Sequence, residues 1–429
     1  VITLKAKSLK ISAIALTLVL SFACSNLLCG CSLIGMFGNM LLSESSSSKS
    51  YPEVTDPEAT VPIKTTEDVL YGFDYITDES VQILYGLVDE YANKRSSTTF
   101  KIEGELSERQ MYEAIEAYRN DHPEVFWLDS GTYYYYENNY TYIDLIFTMD
   151  STNREQAKSD FNDKVDEIVA NAPSDASDFD LELYVHDYII DNCTYDSEAA
   201  ESDEKTDTSN NAYGAVVGGK TVCEGYAMAF NLLCNRLGVD CINISGASDG
   251  DSHMWNAVLI DGEWYQVDVT WDDPDSDEDE VSRYLYFNLT DDEMYDSHTA
   301  SVMYDDITDD EFVDYELYPN IYLPKCTATE YNYYEYYGVT IYDIEQSDEV
   351  IEKIAQAAQN KDEYFYFLLD GSLGYDSVSD SIINDGYLGN WIDSANLKNF
   401  YFPTLDTDTN VYKIKDYRLI IIELNYSWG

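Results

Sequence analysis

The sequence predicts an α+β chain: a larger central α+β domain with a small α/β domain on either side. Three observations predict it. An apolar helix-like run at 223–237 is followed by three strand-like runs, at 241–245, 254–260 and 264–270. The last two runs meet at Asp261-Gly262, a strong two-residue hairpin signal. On both sides of this block short alternating runs mix with segments of helical spacing, at 429 residues in total, too long for one ordinary domain. Hydrophobic residues make up 45% of the chain, enough for sizeable cores.

The first residues read as an address. Lys5, Lys7 and Lys10 form a basic start, and no charged residue follows from 11 to 43. Within that run Leu28-Cys29-Gly30-Cys31 resembles the bacterial lipobox, which implies lipidation of Cys31. The alternative is a single N-terminal membrane anchor, since about 20 apolar residues span a bilayer. Residues 1–31 are therefore expected to be a signal or anchor that places the chain on the extracellular face of the membrane. Residues 32–66, with the serine run and Pro52, Pro57 and Pro62, are expected to be a disordered tether.

The N-terminal accessory domain is expected over 67–151. Residues 80–94 have helical spacing and 100–106 are strand-like. The helix predicted over 107–119 starts at Ser107 with Gln110 at the third position, the pattern of a capping box. Strands over 132–136 and 140–149 alternate around Asn138-Asn139. Alternation explains the tyrosines at 133–136 more simply than a carbohydrate platform, and His122 reads as a turn residue.

The central domain is expected over 152–320. Helices are predicted at 154–172 and 181–191, and the helix at 223–237 ends on Gly238. The C-terminal domain, over 321–429, should carry strands near 339–342, 364–369 and 419–424 and a helix at 348–359.

Charge and cysteine content narrow the function. A net charge of −58, with only 24 Lys and Arg, excludes nucleic acid as a partner and is expected to serve solubility. Cys193, Cys223, Cys234, Cys241 and Cys326 follow the leader without metal-like spacing. Cys234 and Cys241 sit in apolar surroundings and are expected to be buried and inert. The run 272–280 offers alternating carboxylates, Asp273, Asp275, Asp277 and Asp279 among them. It lacks the glycine and spacing of a calcium loop, so a solvated loop is expected, with no metal site and no required cofactor.

The chemistry gathers at Cys223, His253 and Asp268. An ordinary thiol is only about 3% ionised at neutral pH, and the thiolate is the nucleophile. At the first turn of a helix a thiol meets free N–H groups and the positive end of the dipole. The Cys223 N–H is also available as an oxyanion donor, with Tyr213 or Asn211 as a weak second. If Asp261-Gly262 is a two-residue loop, Ile260 faces Glu263 and His253 faces Thr270. Asp268 then lies diagonally from His253 on the same face. Asp268 would fix the tautomer of His253, leaving the other ring nitrogen for Cys223. Trp255 shares that face as a wall over a partly exposed thiol.

The runs Tyr213-Gly214-Ala215, Cys223-Glu224-Gly225-Tyr226-Ala227, His253-Met254-Trp255-Asn256 and Trp264 through Asp272 resemble the transglutaminase-like superfamily, particularly its bacterial secreted members. Tyr184-Val185-His186-Asp187-Tyr188 resembles its opening helix, and Tyr286 through Thr290 with Asp296 to His298 its closing segment. The resemblance implies a papain-like arrangement, with Cys223 as nucleophile, His253 as base and Asp268 as orienting acid. It implies an acyl-transfer enzyme acting on protein or peptide amides. Hydrolysis is preferred to crosslinking, because nothing in the sequence builds a second, amine-binding tunnel. A non-catalytic scaffold or binding module is the alternative. His186 is expected to face the core or bond a nearby backbone group, and His298 to close the structure. Nothing in the sequence fixes an oligomeric state.

Overall fold

The computed structural model describes residues 5–7, 41–43, 70–93, 98–201, 208–273, 283–301, 320–399 and 404–427. It is a mixed helix and strand chain of the α+β class. Its residues fall into two compact units. One takes those between 30 and 273 and between 289 and 327, the other those from 1–29, 274–288 and 328–429.

The first unit begins with helix α1 (Glu79–Asn93), strand β1 (Thr99–Glu103) and helix α2 (Glu108–Asp121). The Ser107–Gln110 capping box is present at the start of α2, each partner satisfying an amide of the other. Strands β2 (Leu128–Glu137) and β3 (Tyr140–Phe147) form the hairpin around Asn138 and Asn139, both at positive φ. That conformation is what a two-residue loop of this hand demands. Helices α3 (Ser151–Asn171) and α4 (Asp178–Asn192) follow, each opened by a side-chain cap, Asp150 and Ser177.

Helix α5 (Cys223–Leu237) is buried along most of its length and stops on Gly238 at φ 91°. It packs on an antiparallel sheet of β4 (Cys241–Ser248), β5 (Asp251–Ile260), β6 (Glu263–Val267) and β7 (His298–Ala300), in the order β6-β5-β4-β7. Asp261 and Gly262 close a two-residue hairpin with Ile260 opposite Glu263. Strand β6 ends sooner than its alternation suggests. Asp268 leaves the ladder to cap the short helix α6 (Val269–Asp272), so Thr270 does not stand opposite His253.

The N-terminal helices and hairpin, expected as a separate accessory domain over 67–151, share this unit with the central domain. The reason is a buried polar seam. Arg119 of α2 reaches Glu224 of α5 at 2.6 Å while also pairing with Glu116 at 2.8 Å. Asn243 donates to the Asn120 side chain, and severing such buried contacts would strand polar groups.

The second unit is a sheet of β8 (Val339–Ile341), β9 (Tyr364–Leu369), β10 (Asn410–Ile414) and β11 (Leu419–Glu423), ordered β10-β11-β9-β8. Its helices are α7 (Ser347–Asn360), α8 (Tyr375–Asn384) and α9 (Tyr387–Lys398). Strand β11 is buried on both faces: Ile420 and Ile422 join Phe365, Phe367 and Trp391, while Leu419 and Ile421 meet Tyr334 and Tyr366. That explains a run of Leu-Ile-Ile-Ile without polar alternation. Helices α8 and α9 and strand β10 are additional to the elements expected here from sequence.

Outside these elements, Lys5–Lys7 lies parallel to β10 and Leu41–Ser43 parallel to β2. Cys31, the rest of the leader and the Pro-containing part of the expected tether lie outside the described residues. Among the described residues no helix is long and apolar enough to cross a membrane.

Candidate active site

Cys223 is the first residue of α5, following Val222, whose extended backbone supplies no side-chain cap. Its N–H therefore has no intrahelical acceptor. The helix can start here because residue 225 is glycine. A Cβ on Gly225 would sit 2.0 Å from Thr221 Oγ1 and 2.8 Å from the Asn211 carbonyl oxygen. Thr221 is itself tied down, its hydroxyl donating to the Ser209 carbonyl at 2.8 Å. The sequence thus brings the helix start against the 208–221 segment as closely as backbone allows.

His253 and Trp255 lie on one face of β5, two residues apart. Asn256, on the other face, donates to the Ala227 carbonyl of α5 at 3.0 Å and to Asn243 Oδ1 at 3.0 Å. These bonds fix the strand that carries His253 against the helix that carries Cys223. Opposite His253 in the register is Gly246, where a Cβ would meet the Thr299 carbonyl at 2.2 Å and the Trp255 ring at 2.7 Å. Only a glycine lets Trp255 lie across the sheet there. The Trp255 indole donates to Gln266 Oε1 at 2.7 Å, and its ring stacks near His253 with centroids 6.0 Å apart.

Asp268 completes the group. Its Oδ2 accepts from His253 Nε2 at 2.6 Å, and its Oδ1 accepts from the amides of Thr270 and Trp271 at 3.0 and 3.2 Å. A second imidazole shares Oδ2: His298 Nε2 lies 2.9 Å away, while His298 Nδ1 is 2.8 Å from Ser297 Oγ. With Nε2 committed to Asp268, the remaining nitrogen of His253 is the one available to the neighbouring Cys223 sulfur.

The electrostatics follow from burial and these partners. Burial opposes charge on His253, but the Asp268 carboxylate and then the Cys223 sulfur outweigh it and push its pKa up to about 10. Burial likewise opposes ionisation of Asp268, yet His253 and His298 hold its carboxyl well below the usual range. The imidazolium–carboxylate pair is therefore the resident state at neutral pH. Tyr195, half-buried nearby, has its phenol pushed up by burial and by the adjacent Cys223 and Asp268.

The structure brings Cys223, His253 and Asp268 together, through a different local geometry from the diagonal strand pair expected: Asp268 reaches His253 as a helix cap. Two expectations are corrected. Cys223 is not partly exposed but only 5% accessible, because α5 is sunk between the sheet and the 208–221 segment. Tyr213 is not placed as an oxyanion donor, since its ring packs on Phe126 at 4.9 Å and on Phe161 at 6.1 Å. His186 faces the core as expected, and its ring bonds carboxylates there, with Nε2 3.1 Å from Asp272 and Nδ1 3.2 Å from Asp187. Asp273 accepts from the Tyr226 hydroxyl at 2.5 Å. Asp272 and Asp273 are thus engaged within the fold, while Asp275, Asp277 and Asp279 lie outside the described residues. His253, Asp268 and His298 present donor atoms within 4.8 Å of one another, the one such potential metal-binding group among the described residues. All five described cysteines are free and buried.

Residues 162–269 match the model of the transglutaminase-like superfamily. The chain carries a transglutaminase-like domain. Kyphoscoliosis peptidase of Mus musculus is 31% identical over 133 residues, covering 28% of this chain and 19% of that protein. The Homo sapiens protein of that name is 31% identical over 120 residues, covering 25% and 18%. The chain thus spans about a fifth of the length of these curated relatives. A solved structure described as a TGase is 19% identical, covers 40% of this chain and 49% of its own, and superposes with a TM-score of 0.24. The family match runs from α3 to just past Asp268. It therefore includes Cys223, His253 and Asp268 and stops short of His298.

Proposed function

We propose that the transglutaminase-like domain is a cysteine acyl-transfer enzyme acting on protein or peptide amides. The observation that carries the reading is the His253–Asp268 bond of 2.6 Å beside a cysteine at the start of a helix. In this reading Cys223 is the nucleophile, His253 the base and Asp268 the acid that orients it. The thiolate attacks the amide carbonyl carbon, and the oxyanion formed is met by the Cys223 N–H. As the C–N bond breaks, His253 gives its proton to the leaving amine and a thioester remains on Cys223. Water then attacks the thioester while His253 takes one of its protons; the C–S bond breaks, the carboxylic acid leaves, and the Cys223 thiolate is restored beside protonated His253. No step requires a cofactor.

Hydrolysis is preferred to amine transfer, and the peptidase name of the curated relatives supports that preference. The basic, then apolar leader ending at Cys31 supports a lipid-anchored position on the extracellular face of the membrane. One observation favours a non-catalytic scaffold instead, the 5% accessibility of Cys223.

Alkylation of Cys223 by iodoacetamide across pH 5–10, read by peptide mass spectrometry on the full chain, separates the two. An enzyme reacts well below pH 8 and loses this in His253→Ala. A scaffold leaves Cys223 unmodified until the chain unfolds. Peptide-amide cleavage and labelled-amine incorporation then distinguish hydrolysis from transfer.

A further inference from the structure

His298 is unexplained by the proposed chemistry. It lies beyond the segment that matches the family model, yet its Nε2 points at the same oxygen of Asp268 that His253 uses. We infer that His298 is a positioning residue: by sharing Asp268 Oδ2 it fixes the carboxylate and sets how firmly Asp268 holds the proton of His253. The inference rests on the acyl-transfer reading of Cys223, His253 and Asp268.

The hydrogen-bond inventory of Asp268 supports it. A carboxylate has about four acceptor sites, and here all four are filled: two backbone amides on Oδ1 and two imidazoles on Oδ2. The backbone amides fix one end of the group, and the two imidazoles fix its rotation. Each donor also withdraws charge from the carboxylate, so removing one leaves more for the other. Without His298, Asp268 becomes a stronger acceptor for His253, and the imidazolium gives up its proton less readily. The general acid that protonates the leaving amine would then be weaker.

The placement of His298 serves this role. It sits at the start of β7, opposite Ser248 of β4, with 1% of its surface accessible. The Trp255 and Trp271 rings pack against it, both with centroids 5.0 Å away. Ser297 Oγ holds its Nδ1. Held at both nitrogens and buried, the ring keeps its Nε2 edge toward Asp268. The charged and titratable groups around His253 are Asp268 at the N-cap of α6, Cys223 on α5 and His298 on β7, with the Tyr195 phenol in turn raised by burial and by Cys223, Asp268, Asp251 and Asp196.

The test uses the four histidines of the chain, few enough to follow singly by NMR of ring-labelled histidine in the full-length protein. Three variants differ in what reaches Asp268. His298→Gln places an amide N–H near the position of Nε2. His298→Asn ends near Nδ1 and falls short, and His298→Leu has no donor. The His253 signal should titrate about one pH unit higher in His298→Asn and His298→Leu, roughly a tenfold rise in proton affinity. It should stay near the unaltered value in His298→Gln. A role in packing alone changes the unfolding midpoint but leaves the titration where it was, or moves it equally in all three, and either result overturns the inference. The Asn and Leu variants are alternatives, so one that folds suffices. Iodoacetamide reactivity of the unaltered chain tests the acyl-transfer reading separately: a dead thiol with a shifted His253 titration refutes that reading and retains the coupling.

Discussion

Asp268→Asn separates charge from shape at this site. Asn caps a helix about as well as Asp, so its oxygen can still accept the Thr270 and Trp271 amides that Oδ1 accepts now. What disappears is the negative charge facing His253. The imidazole is raised from 6.5 to about 10, and at about 1.4 kcal/mol per tenfold change in proton affinity the net stabilisation of its charged form, after the cost of burial and with Cys223 included, is roughly 5 kcal/mol. Removing one partner of a buried pair typically costs about 3–5 kcal/mol, which agrees. The sign is set by linkage. A histidine whose folded pKa is raised stabilises the fold fully below its unfolded value and loses that contribution as pH rises through the folded one. The native chain should therefore exceed Asp268→Asn by about 3–5 kcal/mol at pH 6, with the gap closing between pH 6.5 and about 10. Urea unfolding of both chains at several pH values measures it, and subtraction cancels the other titrating groups. A gap equally wide at pH 6 and pH 10 would refute the assigned ion pair.

Gly225→Ala drives a Cβ to within 2.0 Å of Thr221 Oγ1; it should cost about 1–3 kcal/mol and slow iodoacetamide capture of Cys223, both read on the same preparation. Arg119→Met leaves Glu116 and Glu224 buried without their cation and should lower the unfolding free energy by about 3–5 kcal/mol. Ser107→Ala removes one half of a capping box remote in sequence from the site; a loss of about 1 kcal/mol with unchanged Cys223 reactivity makes it the control for destabilisation alone.

Much of the site was legible because its signals are local. The two-residue turn at Asp261-Gly262 fixed the register of β5 and β6, and Cys223 stands where an apolar helical pattern begins. The route from Asp268 to His253 is not legible in the sequence, since Val-Asp-Val-Thr alternates like a continuing strand. Only the cap bonds at Thr270 and Trp271 show the chain turning. The role of His298 was hidden by distance: its partner is 30 residues away, and no period or spacing rule links them. The joining of α2 to the central domain was hidden likewise, because Arg119 and Glu224 are 105 residues apart. In the second unit, Ile420 and Ile422 mark a strand buried on both faces. Helices α8 and α9 carry too many small and polar residues to stand out.

The site's residues divide by what the fold asks of them, and that division decides which variants are informative. Asp268 caps α6, and the far end of that helix holds His186 through Asp272. Asn256 ties β5 to α5, so changes at either position disturb structure and chemistry together. The Cys223 thiol is different. Its interactions are with His253 and Tyr195, and no cap or ladder depends on it. Cys223→Ser keeps the shape of this buried side chain and should therefore lower the unfolding free energy by no more than about 1 kcal/mol, the centre of the range for single substitutions. If acyl transfer is lost at unchanged stability, the sulfur is there for chemistry. A thiol whose removal destabilises the fold by several kcal/mol would be a packing residue, and the acyl-transfer reading would lose its nucleophile.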